Sequence, residues 1–566
     1  MMMKKIAISV LILLPFILFA FNKSNVSINP VYHTSQRLKE NSVSGAVKIC
    51  ALRVSFPEDN NDATTGNGKF LLRSDTGDSL CSPVIIDPPP HNRAYFRDHI
   101  RSAANYFYHV SRGHVVIDTV NSEVYPLIDS LTFQVSHTMD YYHPFLQEDS
   151  IDVRLARLFQ ESVLIADSDG INFSQYDIVI VFHAGVGQDF DLFLDPTPYD
   201  IPSAFLNLND FKNAFALNKA SYKGIAVDDS SYFIKEGIIL PETQNHLLFP
   251  NWGDVFGDAT SPCEYQIGLN GTFAFMMGFY WGLPGLYDTD TGETGIGKFG
   301  LMDQGSANLN GLIPAVPSAW SRVFLGWEDP VVADVDQIVN LQYAEKTSSD
   351  SLIWKVPINN YEYFLVENRY ASVRPGVSLD SIQYRIYQEN GEDEWPSIFP
   401  LIKDSIGAVF SEETGVLLSV PRYDVGLPGS GLLIWHIDES VINPNLSANR
   451  INVNRERRGV DLEEGDGAQD LGYPSQMLGA SVDIGWFFDP WFAGNEGFWH
   501  LNPEYPEDDG KRVGFTDSTN PSSKSNDYAY TGICIDSIGP ADSLMAVSYT
   551  HLRAHETSLH LVCRLL

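Results

Sequence analysis

The sequence predicts an α+β fold, in which a region of mixed helices and strands is followed by a β-rich region. Amphipathic helical patterns and buried strand patterns alternate in the first half of the chain. Beyond about residue 342 the apolar runs, such as YEYFLVENR and GLLIWHI, have strand length and are separated by turn residues. We therefore predict a first domain at residues 45–341 and a β-rich domain at residues 342–546.

Length and charge limit the classes of function. A chain of 566 residues is long enough for about two to four domains with large cores. The 37 lysines and arginines are outnumbered by 72 aspartates and glutamates, which gives a formal net charge of −35. Nucleic-acid binding needs a basic surface that neutralises phosphates, so the charge argues against that class of partner.

The N-terminus is typical of a secretory signal peptide. Two lysines precede an apolar run at residues 6–21, which is short for a membrane span. We predict a signal peptide at residues 1–20, cleaved after Ala20, and a polar linker at residues 21–44. The alternative is an uncleaved anchor. No second apolar run of spanning length follows, so we expect a secreted or cell-surface protein without a membrane span in the mature chain.

The last twenty residues are unlike the rest of the chain. Residues 547–557 read VSYTHLRAHET and residues 561–566 read LVCRLL. Both strings resemble translated adaptor sequence from DNA library preparation, with room between them for a short index. We therefore expect residues 547–566 to be an adaptor-derived artefact rather than natural protein. The alternative is a genuine basic tail.

Cysteine usage does not indicate a disulfide framework. Cys563 lies in the adaptor-like segment, which leaves four cysteines in a long chain. Cys50 and Cys534 lie in strand-like apolar runs and are predicted to be buried thiols. Cys81 and Cys263 lie in loop-like segments and form a candidate disulfide in an oxidising compartment.

The first domain begins with a strand at residues 47–56. The helix that follows is predicted from an apolar face with Asn92 capping its start and Gly113 its end. The residues of that face are Phe96, Ile100, Ala103, Phe107 and Val110. A second amphipathic helix is expected at about residues 149–165, and a buried strand at residues 176–187 enters a glycine-containing loop.

Residues 273–288, FAFMMGFYWGLPGLYD, carry the strongest motif. GLPGLYDTDTG is followed by GIGKFGLMDQGS at residues 295–306 and by PSAWSRVFLGW at residues 317–327. With these motifs the chain resembles the immune inhibitor A family of secreted bacterial zinc metallopeptidases. That family has approximately HEFGHxLGLPDLYD, a glycine-rich loop, a methionine turn and an AWSR-LGW segment. TTGNGKF, IDPPPHNRAYF, FHAGVGQD, PGSGLLIWHID and RGVDLEEGDGAQD extend the similarity over roughly residues 45–546.

The resemblance implies a zincin-like metallopeptidase domain followed by the β-rich domain, but its active-site residues are replaced. In such enzymes two histidines four apart on one helix bind Zn²⁺, and the glutamate between them acts as the base. Aligned on GLP, the first histidine falls on Phe275 and the second on Phe279. The glutamate falls on Met276, and the third ligand, an aspartate, falls on Gly285.

These replacements remove the chemistry of a zinc peptidase. Phenylalanine has no lone pair for a metal and glycine has no side chain. Methionine is a soft thioether that cannot act as a base near neutral pH. The helix is apolar all round, so we expect it to be buried, with large side chains filling the former metal cavity and no zinc. The alternatives are an ordinary core helix with a coincidental GLPGLYD, or sequencing error.

An acidic loop, DLEEGDGAQD, is a candidate calcium site, since Ca²⁺ binds hard oxygen ligands. Its spacing is not that of an EF-hand, and the alternative is a solvated acidic loop. The candidate ligands are Asp461, Glu463, Glu464, Asp466 and Asp470. Weaker candidates of the same kind are Asp189, Asp191, Asp195, Asp288 and Asp290.

The histidines do not form a catalytic set in the sequence. His183 follows a buried strand and is interpreted as a structural histidine, with orientation of a loop as the alternative. His91 is expected to help start the first helix, and His436 to face solvent or the domain interface. His246 is the closest histidine upstream of the motif helix. The sequence contains neither a GxSxG elbow nor a phosphate-binding P-loop.

The function that the sequence favours is that of a secreted pseudopeptidase, without enzymatic activity, that binds an unknown extracellular peptide or protein. One alternative is an active zinc metalloendopeptidase whose ligands come from elsewhere in the chain. Another is a structural extracellular module built on a peptidase scaffold. Chelator-sensitive hydrolysis of casein would favour the active enzyme, and binding of an extended peptide without turnover would favour the pseudopeptidase.

Overall fold

The computed structural model describes residues 45–73, 85–144, 148–190, 196–216, 220–248, 263–333, 335–346, 352–374, 377–378, 406–473 and 482–551. The predicted signal peptide and linker lie outside these residues. The helices are α1 (Arg93–Val110), α2 (Met139–Tyr142), α3 (Glu148–Ser168), α4 (Leu208–Phe215), α5 (Leu269–Trp281), α6 (Ala319–Phe324), α7 (Glu439–Asn445) and α8 (Glu496–Leu501). Within the described residues, none of the helices is both long enough and apolar enough to cross a membrane.

Helices and strands alternate in the first half, and strands dominate the second. The strands of the first half are β1 (Gly45–Val47), β2 (Ile49–Ser55), β3 (Val115–Ile117), β4 (Glu123–Tyr125), β5 (Phe133–Gln134), β6 (Ile178–Val186), β7 (Ala204–Leu206), β8 (Ile225–Val227), β9 (Tyr232–Ile234), β10 (Gly237–Thr243), β11 (His246–Leu248) and β12 (Cys263–Tyr265). Those of the second half are β13 (Val331–Val332), β14 (Gln337–Gln342), β15 (Ile353–Pro357), β16 (Glu362–Arg369), β17 (Ser372–Arg374), β18 (Val377–Ser378), β19 (Val409–Phe410), β20 (Leu417–Ser419), β21 (Gly431–Asp438), β22 (Val460–Glu463), β23 (Val513–Thr516), β24 (Ile533–Ile538) and β25 (Leu544–His551). The expectation of a mixed helix and sheet fold is confirmed.

The first half is built around a six-stranded sheet in the order β4, β2, β6, β10 and β7, with β5 also paired to β2. All pairings are parallel except that of β7 with β10, which is antiparallel. Every residue of β2 is buried, and so is nearly all of β6. Parallel strands covered on both faces read as continuous apolar runs, which is why both strands were predictable from sequence.

Helix α1 forms as its sequence pattern predicts. The side chain of Asn92 accepts a hydrogen bond from the backbone of Tyr95 at 3.2 Å and caps the helix start. All five residues of the predicted apolar face are buried, and α1 packs against α5. Beyond the helix end, Gly113 has a φ of +78°, and its N–H donates to the carbonyl of Tyr108 at 2.8 Å.

Two sheets form the β-rich half. One has the order β13, β15, β16, β21 and β22, and the other has β14, β25, β24 and β23. In the first of these sheets, every residue of the central strands β16 and β21 is buried. In β16, Tyr363 and Leu365 belong to the large core shared with the first half, whereas Phe364 and Val366 belong to a second core between the two sheets. The two predicted domains therefore meet through a continuous hydrophobic core.

Both predicted ends of the β-rich domain fall inside strands. The division between residues 341 and 342 lies within β14, which pairs with β25. Strand β25 also continues through residues 547–551, which begin the adaptor-like segment, and Val547 and Tyr549 are buried in the second core. Residues 552–566 lie outside the described part of the chain.

Both cysteines that were predicted to be buried lie in the interior of the protein. Cys50 and Cys534 are buried, as the sequence predicted. Burial raises the pKa of the Cys50 thiol, with a smaller contribution from the charge of Glu123. Cys81 lies outside the described residues, so the Cys81–Cys263 disulfide stays a prediction.

A buried ion-pair network joins the segment PSAWSRVFLGW to strand β16 of the β-rich half. Arg322 donates to Glu367 at 2.7 Å and to Glu328 at 3.2 Å. Arg369 is paired with Asp424 through two nitrogens, and also donates to the carbonyl of Phe299 at 3.1 Å. Burial disfavours the charged carboxylate of Glu367, but the two arginines outweigh it and lower its pKa.

Replacing Arg369 with methionine should strongly destabilise the protein. The variant leaves Asp424 without its cation in a site with almost no solvent, which typically costs about 3–5 kcal/mol. The matched control is Arg512→Met, which removes an exposed ion pair with Asp508 and should change stability by less than about 1 kcal/mol. Urea unfolding followed by tryptophan fluorescence measures both. Equal midpoints for the two variants would contradict the structural role of the network.

Candidate functional site

Helix α5 carries the degenerate motif and is surrounded by protein. All of its residues are buried, from Leu269 to Trp281, which confirms the prediction that the helix is buried. It contacts α1, β7 and β10. The helix ends at Gly282, which has the left-handed φ of +98° that a glycine cap provides.

Aromatic rings fill the space around the positions aligned with the zinc ligands. Phe275 is 1% exposed, Met276 4% and Phe279 0%. The rings of Phe275 and Phe279 contact each other edge to face, with centroids 5.1 Å apart. Phe275 also packs against Tyr287 at 6.2 Å, and Phe279 against Phe205 at 6.5 Å. Phe275 and Phe279 are therefore joined in one aromatic cluster, and Met276 is buried in the same core.

The position aligned with the third ligand is also closed. A Cβ atom at Gly285 would lie 2.6 Å from the ring of Tyr287, so a larger residue requires that ring to move. The backbone N–H of Gly285 donates to the side chain of Asn449 at 2.8 Å. Asn452 reaches the same turn by donating to the carbonyl of Leu286 at 2.9 Å. A segment of the β-rich half therefore covers this turn.

Gly278 is a close-packed position of the helix that the sequence analysis did not single out. It aligns with the glycine of the pattern HEFGH in the family that the chain resembles. A Cβ atom at Gly278 would collide with the sulfur of Met302, which lies in the segment GIGKFGLMDQGS. Its coincidence with the family glycine was the available sequence signal, and close packing of the helix on that segment is the physical reason.

A polar network lies at the starts of α1 and α5. His91 bonds to Glu242 at 2.8 Å, and His99 bonds to Asn270 at 2.9 Å. Asp87 accepts from the backbone of Leu269 at 2.9 Å. Burial favours neutral His91, but Glu242 outweighs it and raises the pKa of His91. Burial lowers the pKa of His99. His99 was not among the residues singled out from the sequence.

Three other residues considered in the sequence analysis, His183, Asp189 and His246, each have their own structural contacts. His183 is fully buried beside the carbonyl of Ala184, and burial lowers its pKa to about 4. Asp189 accepts from the backbone and hydroxyl of Ser203, both at 2.7 Å. His246 is buried in β11, with its ring 5.8 Å from that of Phe190.

The turn after the motif helix has local partners as well. Asp288 accepts from the backbone of Asp290 at 2.9 Å, and Asp290 forms an ion pair with Arg450. Asp191 and Asp195 lie outside the described residues.

The structure divides the predicted calcium ligands into separate groups. Asp461 pairs with Arg458 at 2.8 Å. Glu463 lies 3.0 Å from His436, a buried histidine that was expected to face solvent or the domain interface. These two carboxylates therefore already have cationic partners and leave the candidate ligand set.

Glu464 and Asp466 instead meet Asp489, which the sequence reasoning missed. One carboxylate oxygen from each of the three lies within 4.8 Å of the others. Burial raises the pKa of Glu464, and the charges of Asp466 and Asp470 raise it further. The pKa of Asp489 is likewise raised by burial and then by Glu464 and Asp466. Asp489 lies later in the chain, in the aromatic segment WFFDPWF. No local spacing pattern in the sequence therefore connects it with the acidic loop.

No family model matches this chain, and a search of curated proteins finds no match either. The resemblance to metallopeptidases therefore rests on the sequence motifs.

The buried pair of His436 and Glu463 should make stability pH-dependent. Burial disfavours the imidazolium, but Glu362 and Glu463 outweigh it and raise the pKa of His436 from 6.5 to about 9. A raised folded-state pKa stabilises the protein fully below about pH 6.5, and this stabilisation is lost as the pH rises through about 9. The shift corresponds to on the order of 3 kcal/mol.

Urea unfolding at pH 6 and pH 9 measures this effect. We expect the wild type to lose stability between the two values and His436→Gln to lose much less, from a lower starting stability. His500→Gln, at an exposed position, serves as the control and should behave like the wild type. An identical pH dependence in wild type and His436→Gln would contradict the assignment.

Proposed function

We propose that the chain is a secreted pseudopeptidase of the immune inhibitor A type, with a zincin-like first region, that binds an extracellular peptide or protein without cleaving it. The observation that carries the proposal is the burial of all four positions aligned with the peptidase's catalytic residues. Phe275, Met276, Phe279 and Gly285 lie inside the hydrophobic core and provide neither metal ligands nor a base.

Zinc peptidase chemistry requires features that this packing opposes. A catalytic Zn²⁺ takes three protein ligands and keeps one position for water or substrate. A helix whose every residue is buried has no place for that water without displacing aromatic side chains. Introducing polar ligands there would also require burying groups whose hydrogen bonds are unmade.

Retention of the surrounding geometry supports descent from a peptidase scaffold. Gly278 and Gly282 both align with glycines of the family pattern, and here the first packs closely on Met302 while the second has a left-handed φ. Arg322 of the AWSR motif is held by buried carboxylates, which gives that motif a structural reason. These residues preserve packing, so they can persist after the chemistry has been lost.

The two alternatives remain distinguishable by experiment. An active metallopeptidase would need ligands from elsewhere, and within the described residues the only group of three candidate ligands is Glu464, Asp466 and Asp489. Three carboxylates are hard ligands better suited to Ca²⁺ than to catalytic Zn²⁺. A structural module would show neither binding of a peptide nor its hydrolysis.

Fluorescein-labelled casein tests the proposal in two measurements on the full chain. We expect a rise in fluorescence anisotropy on binding, and no release of labelled fragments with added Zn²⁺. The same assay with o-phenanthroline is the chelator control. Hydrolysis that o-phenanthroline abolishes would support the active enzyme, whereas neither binding nor hydrolysis would support the structural module.

Restoring the family residues should destabilise the protein. A variant with Phe275→His, Met276→Glu, Phe279→His and Gly285→Asp places polar groups in an apolar core, each at about 1–3 kcal/mol or more. We expect a lower thermal midpoint and no stoichiometric zinc by elemental analysis. Phe275→Leu with Phe279→Leu is the apolar control and should remain folded. A quadruple variant that is stable and binds one zinc would show that the cavity is still open.

A further inference from the structure

Three carboxylates converge where the acidic loop meets the segment before Trp491. Glu464 and Asp489 are 2% and 0% exposed, and Asp466 is partly buried. One oxygen from each residue lies within 4.8 Å of the others. Oxygens bound to one Ca²⁺ at 2.3–2.6 Å can be at most about 4.6–5.2 Å apart, so the three can share one ion of that size.

A second observation distinguishes this group from an ordinary acidic cluster. Oδ1 of Asp489 is buried and has no hydrogen-bond partner among the described residues, while Oδ2 accepts from the backbone of Trp486 at 2.7 Å. Oδ1 of Asp470, on the same loop, also has no hydrogen-bond partner there. A buried carboxylate oxygen without a donor is unfavourable unless a cation or another donor satisfies it.

Within the described ranges, no lysine, arginine or histidine forms an ion pair with Glu464, Asp466 or Asp489. Arg458, which precedes the loop, pairs with Asp461 and donates to the carbonyl of Leu471 at 2.7 Å. The three carboxylates therefore lack a counter-ion among the described residues, and a bound cation would supply one.

We propose that Glu464, Asp466 and Asp489 form a calcium-binding site. The ligands are all hard carboxylate oxygens, as Ca²⁺ prefers, and neither histidine nor cysteine contributes to the set. Mg²⁺ is a poorer fit because it demands near-ideal octahedral geometry and gives up its water ligands reluctantly, so it is seldom held by a cluster of protein carboxylates alone. The set differs from the sequence-based one by losing Asp461, Glu463 and Asp470 and gaining Asp489.

The position of the site assigns the ion a structural role. Glu464 follows strand β22, and its carboxylate accepts from the backbone of Asp470 and Leu471, which shapes the loop. Asp489 precedes Trp491, which pairs with Leu432 of β21 and packs in the second core. A shared ion would therefore fasten the loop to the segment that holds this tryptophan against the sheet.

Calcium titration of the EGTA-treated full chain tests the proposal. We expect the wild type to bind one more Ca²⁺ per chain than Asp489→Asn, by calorimetry with CaCl₂, and to gain a higher thermal midpoint with Ca²⁺. Asp489→Asn should weaken this site roughly tenfold or more, because it removes one of three charged ligands. Asp461→Asn is the matched control from the same loop and should bind like the wild type.

Terbium provides an independent reading, since Tb³⁺ occupies calcium sites and luminesces when nearby tryptophan is excited. We expect luminescence in the wild type and Asp461→Asn that Ca²⁺ suppresses, and little in Asp489→Asn. If circular dichroism shows that Asp489→Asn does not fold, Asp466→Asn at the partly buried ligand replaces it. Equal calcium stoichiometry and affinity in the wild type and the ligand variant, or loss of binding in Asp461→Asn alone, would overturn the proposal.

Discussion

Complete burial of helix α5 is the constraint on which the rest of the first half depends. A helix covered on all sides can expose no polar side chain without leaving it unsatisfied, so its surface must be apolar all round. The rings of Phe275 and Phe279 meet that requirement by packing on each other and on Tyr287 and Phe205. The same requirement excludes the histidines and glutamate of a zinc peptidase from these positions unless a metal and water occupy the space.

Strands β16 and β21 of the β-rich half impose a second constraint, because every residue of both strands is buried. Alternate residues of β16 enter different cores, and the charged residues Glu367 and Arg369 at its end are satisfied inside the protein. Arg322 brings the AWSR segment into this network. Removing one partner of a buried ion pair strongly destabilises a protein. A motif of this kind can therefore be retained for its structural role alone.

Much of the fold was predictable, and the reasons are local. The continuous apolar runs of β2 and β6 and the apolar face and Asn92 cap of α1 are properties of short segments, and the structure has them. The site was less predictable. Five acidic residues on one loop looked equivalent in sequence, yet Asp461 and Glu463 pair with cations whereas Glu464 and Asp466 meet Asp489. Side chains that are neighbours in sequence point to opposite faces of a strand. Their closeness along the chain therefore did not show which of these carboxylates share a site.

The sequence by itself determined that helix α5 is a core helix and that a peptidase's metal ligands are absent from it, because composition decides both. Only the tertiary structure decided what occupies the space and which carboxylates converge. Contacts such as Gly285 with Tyr287, Gly278 with Met302 and Glu464 with Asp489 join segments through packing. Those distances depend on how sheets and helices stack, which no local pattern of residues specifies.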